Sequence, residues 1–497
     1  MNPIVYLIGA GPGDPDLITL RGANCLRRSD VVLYDGLSNS EILRLAPTAD
    51  HICVGKHGQS RIWKQHEIID EMLRQAHDGR TVARLKGGDP AVFARTAEEV
   101  DALREANIAF EIIPGITAAL AAGSYAGIPI THRKLASAVA LVTGHEEPEK
   151  TESALDWDAL ARFPGTLVIY MGVTTAGVWT NALLSAGKDP ATPTALVRRC
   201  SLPDQATLHC RLDQVADRLT PASKFRPPVI AIIGPVTTLA ETMNWIQDRP
   251  LHGQTIVITR PSDQANEMAA AVRDYGGHSI ISPAIEIRQL DDFSIIDRSI
   301  KDLPLTELLI FCSANGVDHF FRRLRSLNHD TRILAGTSIA AVGRKTELTL
   351  RENGIRADFV PDDYRAKSLV DLLRSGPSFK KVTIVRASRG SDELPNGLRE
   401  TGADVDEVIA YQNLDVSRPD PLIVDAMRNH KIDWITVTSS ATADNLYRLY
   451  GDALKQFRIA AISPVTADTL RRLGLRVDAV ANPYTTEALI EEIIKQS

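Results

Sequence analysis

Four segments close an apolar run on groups that can do chemistry: LIGAGPGDPDLITL at 7–20, VVLYD ending on Asp35, CVGK ending on Lys56, and RLKGGDP carrying Gly87, Gly88 and Asp89. A glycine-rich turn after a strand raises the question of phosphate. A dinucleotide cradle wants G-x-G-x-x-G opening a helix, with amide groups free to face the pyrophosphate and a third glycine for close packing. Gly9 and Gly11 fit, but the third position is Asp14. Pro12 has no amide hydrogen, and Asp14 and Asp16 put negative charge where a pyrophosphate would approach. The turn repels phosphate. Asp35 follows about twenty positions later, where a nucleotide site keeps its ribose-binding acid, so a nicotinamide-dependent oxidoreductase stays open as an alternative. Lys56, taken alone, reads as a solvated lysine after a strand.

The elements that must hold these groups show in the alternation of apolar runs. IVYLIGAG, VVLYD, HICVG and TVARLKGGDP alternate with amphipathic stretches through LRGANCLRRS and EIIDEMLRQAHDG, which argues for α/β layers around mainly parallel sheets, with reactive groups at strand ends. A second set (ALVTGH, GTLVIYMG, ATPTALVRR, VIAIIGPV) follows a change near Pro114 that marks a join between two lobes. The rhythm restarts at TIVITRP beyond Pro250 and Gly253, so the major boundary falls at about residues 246–252. Beyond it, AAVGRKTELTLRENGIRADFVPDDYRAKSLVDLL (340–373) aligns without gaps on AAISPVTADTLRRLGLRVDAVANPYTTEALIEEI (460–493), and FCSANGVDHFFRRL pairs more loosely with VTSSATADNLYRLY. Two similar lobes with a cleft between them are expected.

A chain of 497 residues with 44% hydrophobic and 24% charged residues is globular and large enough for several cores. Its net charge of −6 gives no general attraction to nucleic acid or anionic membranes, so neither is expected as a partner. Five cysteines without a C-x-x-C pair support neither a disulfide framework nor a metal site. MNPIVYLIGAG enters a strand at once and no apolar run reaches membrane-spanning length, from which a cytoplasmic protein is expected.

The strand-end motifs, together with PGITAALAAGSYAGIPITHR (114–133), LVTGH (141–145) and YMG (170–172), resemble the tetrapyrrole methylase family, and within it the uroporphyrinogen-III C-methyltransferases. The resemblance implies a two-lobed methylase domain at 1–246, with lobes of about 1–113 and 114–246. It implies transfer of two methyl groups from S-adenosyl-L-methionine to uroporphyrinogen III, giving precorrin-2, and a homodimer formed through this half. GAGPGDPDLIT becomes the family's turn beside cofactor and substrate. By the same resemblance Pro12, Gly87, Gly88, Asp89, Val92, Thr117, Ala118 and Met171 line the cofactor site, while Asp35 and Lys56 act as base and acid. Glycines let main chain approach the cofactor, and Asp89 either serves its positive end or caps a helix at PAVFARTAEE. The substrate bears many carboxylates, for which Arg61 and Arg133, with Lys56, His57, Lys64 and Arg95, are candidate counter-charges. The chain departs from the family where GGDPFIFGR becomes GGDPAVFAR, and where Cys200 in VRRCS takes the glycine position of V-E-x-G-T. No second G-x-G-x-x-G unit is present to form the dehydrogenase and chelatase module sometimes joined to this methylase.

From about residue 252, TRP (259–261), FCSANGVDHF, AAVGRKTELTLRENG, VRASRG, VIAYQN and VTSSATADNL are similar to uroporphyrinogen-III synthase. That implies a two-lobed domain at 252–497, lobe 1 being about 252–283 plus 414–497 and lobe 2 about 290–408. The reaction implied closes linear hydroxymethylbilane with inversion of its last ring, by loss of the terminal hydroxyl and a spiro intermediate, with no metal. Tyr411 matches the family's tyrosine and can donate a hydrogen bond to the departing hydroxyl; it can also be simple packing in a β-type linker. Ser313, Asn315, Gly343, Thr346, Ser388, Ser439, Ser440, Ser463 and Thr466 stand in turns before helices, where amide groups suit carboxylates and where helix caps also belong. Arg260, Arg344 and Arg386 add positive charge. The chain thus reads as a bifunctional enzyme, with a methyltransferase carrying a non-catalytic ligand-binding second half as the alternative.

Overall fold

The computed structural model describes residues 3–55, 63–146, 154–220, 222–223, 225–362 and 366–497. It divides into two compact units, 1–253 with 275–278, and 254–274 with 279–497.

The first unit opens with a sheet of β1 (Ile4–Gly9), β2 (Val31–Tyr34), β3 (Asp50–Cys53), β4 (Val82–Lys86) and β5 (Ala109–Ile113), ordered β3-β2-β4-β1-β5. Every pairing in it is parallel. Parallel neighbours need crossovers, and helices such as Leu20–Leu26, Gln65–His77 and Thr96–Glu105 provide them. These helices bury both faces. Val5 and Leu7 pack on one side with Leu33 and Met72, whereas Tyr6 and Ile8 pack on the other with Val32 and Leu85, so β1 is apolar at successive positions.

A second sheet follows, built of β6 (Val139–Thr143), β7 (Thr166–Tyr170), β8 (Pro193–Arg198), β9 (Ala206–Arg211) and β10 (Val229–Ile233) in the order β6-β7-β10-β8-β9. Only β6 and β7 are parallel here, which corrects the expectation of mainly parallel sheets for this lobe. The reason is local. The link from β8 to β9, residues 199–205, contains no helix to carry the chain back across the sheet, so the strands pair antiparallel.

The second unit starts with β11 (Thr255–Ile258) and β12 (His278–Ile281). The chain then builds a separate sheet from β13 (Ile285–Arg288), β14 (Leu308–Phe311), β15 (Ser338–Ala341), β16 (Lys381–Ala387) and β17 (Asp404–Asp415), ordered β13-β17-β16-β14-β15. It returns with β18 (Trp434–Val437), β19 (Arg458–Ala461) and β20 (Ala479–Val480) to complete the sheet β12-β11-β18-β19-β20. The repeat is visible in atomic detail. Asp358 Oδ2 accepts from the Ile339 amide at 2.8 Å, and Asp478 Oδ2 accepts from the Ile459 amide at 3.0 Å, the same contact in each copy. All five cysteines are free thiols. Among the described residues, no helix is long and apolar enough to cross a membrane, and no cluster of side chains suits a metal ion.

Candidate active sites

In the first unit the groups of interest gather at the carboxyl edge of the β3-β2-β4-β1-β5 sheet, where open parallel sheets bind their ligands. Backbone accounting decides what the glycine turn can do. The Ala10 amide donates to Lys86 O, the Gly11 amide to Gly88 O at 3.2 Å, and the Gly88 amide to Gly11 O at 2.8 Å. The Asp14 amide donates to Ser201 Oγ at 3.0 Å. These donors are consumed internally, Pro12 has none, and residues 9–16 and 87–92 contain no basic side chain. No pyrophosphate cradle exists at this turn. The glycines serve packing instead: a Cβ on Gly9 would come within 2.5 Å of the Gly115 nitrogen, and one on Gly115 within 2.3 Å of Gly88 O.

Asp89 holds that packing together. Its Oδ1 accepts from the Ala91 amide at 2.6 Å and its Oδ2 from the Gly115 amide at 2.9 Å. The helix cap considered for it is not what it forms, since the following helix begins at Thr96 with Arg95 at the capping position. Gly88, at φ +72°, runs within 3.9 Å of Thr117 and Ala118, measured from the place a Cβ would take. Thr117 Oγ1 shares a 2.7 Å hydrogen bond with Tyr170 Oη, which also accepts from the Ala119 amide. Burial pushes the Tyr170 phenol up, against the pull of those two bonds. Tyr170 packs against Phe93 with ring centroids 5.0 Å apart and planes tilted by 55°, and leads into Met171, half-exposed and held at φ +54°. Val92 and Ala118 pack partly buried in the same cluster. Pro12, Gly87, Gly88, Asp89, Val92, Thr117, Ala118 and Met171 therefore share one neighbourhood. Cys200 is buried beside it, its thiol pushed up to about 12 by burial; the left-handed φ values fall on Arg199 (49°) and Ser201 (64°) at either side, so no glycine is needed at 200.

Asp35 stands at the end of β2, beside this neighbourhood, and is tied to a buried ionic chain that sequence reading missed. Its Oδ1 accepts from Arg84 Nη2 at 2.6 Å, Arg84 Nε donates to Glu99 Oε1 at 3.1 Å, and Lys86 Nζ donates to Glu99 Oε2 at 2.5 Å. The side chains of Arg84 and Lys86 are 3% exposed and that of Glu99 0%, against 29% for Asp35. Burial works against the Arg84 charge, but Asp35 and Glu99 outweigh it and hold the guanidinium above its ordinary range. Lys86 is pushed down, by burial first and the Arg84 charge second, with Glu99 opposing. Lys56, His57 and Arg61 lie outside the described residues. Arg133 is exposed, and Arg95 pairs with Glu98 at 2.7 Å.

In the second unit, Arg260 follows β11, Ser439 follows β18 and Ser463 follows β19 on one sheet, while Ser313 follows β14 and Gly343 follows β15 on the other. Ser313, Ser439 and Ser463 each accept, through Oγ, from the amide three residues on, so these hydroxyls are helix caps. Ser440 accepts from Thr469 Oγ1, and Thr466 shares a bond with Ser463. Thr346 is buried in the first turn after Gly343, and Arg344 is exposed. Ser388 Oγ accepts from the Asn413 amide. Arg386 is already neutralised, by Glu407 at 2.5 Å and Asp392 at 3.3 Å, which counts against it as a charge held for a ligand.

Tyr411 is in the body of β17, 5% exposed and part of a core cluster, and not in a linker. Its hydroxyl shares a 3.0 Å hydrogen bond with Ser313 Oγ, and its ring stacks at 5.3 Å on His319. Arg260, 8% exposed, donates from Nη1 to Thr486 Oγ1 at 2.6 Å and from Nη2 to Gln264 Oε1 at 2.9 Å. Gln264 in turn donates to Asn315 Oδ1 at 3.1 Å. Among the described residues Arg260 touches no carboxylate, and its Nε is buried without a partner. Gln264 was missed because a polar residue near the start of a helix carries no pattern of its own; its spacing of one turn from Arg260 was the available signal.

The protein-family model for tetrapyrrole (corrin/porphyrin) methylases matches residues 4–216, and that for uroporphyrinogen-III synthase HemD matches residues 266–491. The porphyrin biosynthesis protein HemD of Ruminiclostridium josui is 33% identical over 495 residues, spanning 99% of this chain and 97% of that protein. Uroporphyrinogen-III C-methyltransferase of Bacillus subtilis (strain 168) is 37% identical over 352 residues, 70% of this chain and 72% of that one. The S-adenosyl-L-methionine-dependent uroporphyrinogen III methyltransferase of Methanosarcina barkeri is 43% identical over 240 residues, 48% of this chain and 94% of that one.

Proposed function

Because the chain belongs to the family of the porphyrin biosynthesis protein HemD, with a tetrapyrrole methylase region ahead of a uroporphyrinogen-III synthase region, we propose that it makes uroporphyrinogen III from hydroxymethylbilane and methylates that product twice. The observation that carries the methyltransferase reading is the glycine neighbourhood of the first unit, with its Ala10, Gly11, Asp14, Gly88 and Gly115 amides spent and no cation in its loops. Such a place fits S-adenosyl-L-methionine, a cation without phosphate, and disfavours a dinucleotide. Gly87 and Gly88 with Thr117, Ala118 and Met171 would hold it, and when bound it supplies the methyl group.

Asp35 takes the proton that the pyrrole ring must shed after methylation. Arg84 occupies its Oδ1, so Oδ2 is the atom left for that proton, and Glu99 fixes Arg84 in turn. Lys56 is assigned the acid. In the second unit Arg260 receives a substrate carboxylate at its unpartnered Nε, and Tyr411 assists departure of the bilane hydroxyl. The enzyme works in the cytoplasm as a homodimer formed through its first half, and its product is precorrin-2.

The test is anaerobic incubation of the full chain with hydroxymethylbilane and methyl-labelled S-adenosyl-L-methionine, beside a reaction given preformed uroporphyrinogen III. Label in the macrocycle from both substrates, with the type III isomer formed from the bilane, is expected. Label from uroporphyrinogen III alone reduces the second half to a binding module, and no label from either removes the proposal.

A further inference from the structure

We infer that Ser201 is a positioning residue for the methyl donor: with Gln205 and Tyr125 it closes a ring of hydrogen bonds on Asp14 that fixes the Gly11–Asp14 turn against the cofactor neighbourhood. The inference rests on the methyltransferase reading above.

The need for such a tie follows from the fold. Pro12, Gly87 and Gly88 come from the ends of β1 and β4, whereas Thr117 and Ala118 stand at the start of the helix Ala118–Tyr125 and Met171 follows β7. A ligand that touches both sets is held well only if the two keep a fixed spacing. One end of the turn is fixed within its own sheet, by the paired amides of Gly11 and Gly88 at 3.2 and 2.8 Å. The other end is fixed by the link between β8 and β9. The Asp14 amide donates to Ser201 Oγ at 3.0 Å, the Ser201 amide to Gln205 Oε1 at 2.9 Å, Gln205 Nε2 to Tyr125 O at 2.9 Å, and Tyr125 Oη to Asp14 Oδ2 at 3.3 Å. The ring ends on the residue where it began. Pro12 lies between the two ties, and the helix that Thr117 and Ala118 begin ends on Tyr125, so the ring sets where each set stands.

Ser201 is 5% exposed, so water competes little for its Oγ. Its backbone lies at φ +64° and that of Arg199 at φ +49°, a left-handed conformation that costs an L side chain free energy and persists where the surrounding contacts over-determine it. The link also seats closely on the turn: a Cβ on Gly13 would come within 2.7 Å of Leu202 Cγ and 3.1 Å of Cys200 O. Asn39 Nδ2 adds a bond to Gly13 O at 2.9 Å. Cys200 and Tyr125 pack in the cluster that holds Tyr170, Val92 and Ala118, which places the ring beside the cofactor neighbourhood. Burial first, and then the Asp14 charge, pushes the Tyr125 phenol up to about 12, so it remains a donor to Asp14 at neutral pH.

The decisive pair is Ser201→Ala and Ser201→Gly in the full chain. Both remove Oγ, but glycine adopts the left-handed conformation freely and alanine does not, so the thermal midpoint of Ser201→Gly is expected above that of Ser201→Ala. S-adenosyl-L-methionine is titrated by calorimetry into each protein without tetrapyrrole. Its Kd is expected to rise about 3–10-fold in both variants, the worth of one hydrogen bond, whichever is the more stable. In turnover, KM for S-adenosyl-L-methionine follows Kd, while KM for uroporphyrinogen III and formation of the type III isomer by the second half keep their wild-type values. Tyr125→Phe, which opens the ring at its longest bond, is expected to give a smaller rise. A wild-type Kd in either serine variant, or a Kd that follows the thermal midpoint across the pair, overturns the inference and leaves the methyltransferase reading in place. A wild-type protein that binds no S-adenosyl-L-methionine removes that reading, and the inference with it.

Discussion

Both candidate sites stand at the carboxyl edges of parallel strands, yet they settle buried charge in opposite ways. Around Asp35, two carboxylates meet two cations in an unbroken chain, and the members furthest from solvent, Arg84, Glu99 and Lys86, are all paired. Around Tyr411, the buried cation Arg260 has amide and hydroxyl partners but no carboxylate among the described residues. A buried charge is costly unless it is paired. Among the described residues the first site is therefore paired throughout, and Asp35 Oδ2 is the oxygen that Arg84 leaves for the proposed base. The second leaves Arg260 Nε without a partner, which is where the proposed substrate carboxylate would bind.

The largest test of this contrast is Asp35→Asn, which keeps the shape and removes the base. Methyl transfer to uroporphyrinogen III is expected to drop by ~10²–10⁴, while bilane closure by the same preparation is unaffected. Retention of methyl transfer would remove Asp35 from the mechanism. Next comes Glu99→Gln, which strands two cations against one acid and is expected to cost ~3–5 kcal/mol of stability near neutral pH. Its pH dependence has a definite sign. The folded-state pKa of Lys86 already lies below its ordinary 10.5, chiefly through burial and then through Arg84, and loss of Glu99 removes the group that opposes both. The folded state is thus penalised wherever this amine must stay charged, and stability climbs as pH rises from the folded pKa towards 10.5. Urea midpoints should show the variant recovering on the wild type as the pH is raised; a constant gap would mean that Lys86 is not the group under strain.

Arg260→Met probes the other half of the comparison. KM for the bilane is expected to rise ~10–100-fold, the worth of a charge-assisted bond, and thermal stability should hold or increase because an uncompensated buried charge has gone. The same kind of change at Arg84 is expected to lose stability, since it leaves Asp35 and Glu99 facing Lys86 alone.

The α/β layers were legible because parallel strands covered on both faces read as short unbroken apolar runs, as in β1 and β14. Strand direction in the second sheet was not, since a seven-residue link such as 199–205 and a crossover look alike until their helix content is known. In RLK, the alternation of a strand puts Arg84 and Lys86 on one face, so a need for counter-charge was readable. That Glu99 meets it from a helix was not, because the partner comes from packing and not from spacing. The serines before helices were read both as anion ligands and as caps, and their Oγ atoms cap. Composition and turn chemistry cannot separate those uses, because both exploit the same unpaired amides.

Gly343 offers the smallest and most local test. Its backbone, at φ −150° and ψ 164°, is that of Ser463 in the matching lobe, at φ −153° and ψ 160°, so nothing in the chain's path requires a glycine. What differs is the cap: Ser463 Oγ accepts from the Thr466 amide, and the helix Arg344–Glu352 has no side-chain cap at all. Gly343→Ser should supply one and stabilise the fold by a few tenths of a kcal/mol, about the difference between serine and glycine at this position. If the amides of that first turn serve a substrate carboxylate, the new hydroxyl competes for them and KM for the bilane rises with kcat unchanged. An equal gain in stability with KM untouched would show that the uncapped turn is incidental, leaving Arg260 as the group proposed to recognise the bilane in the second unit.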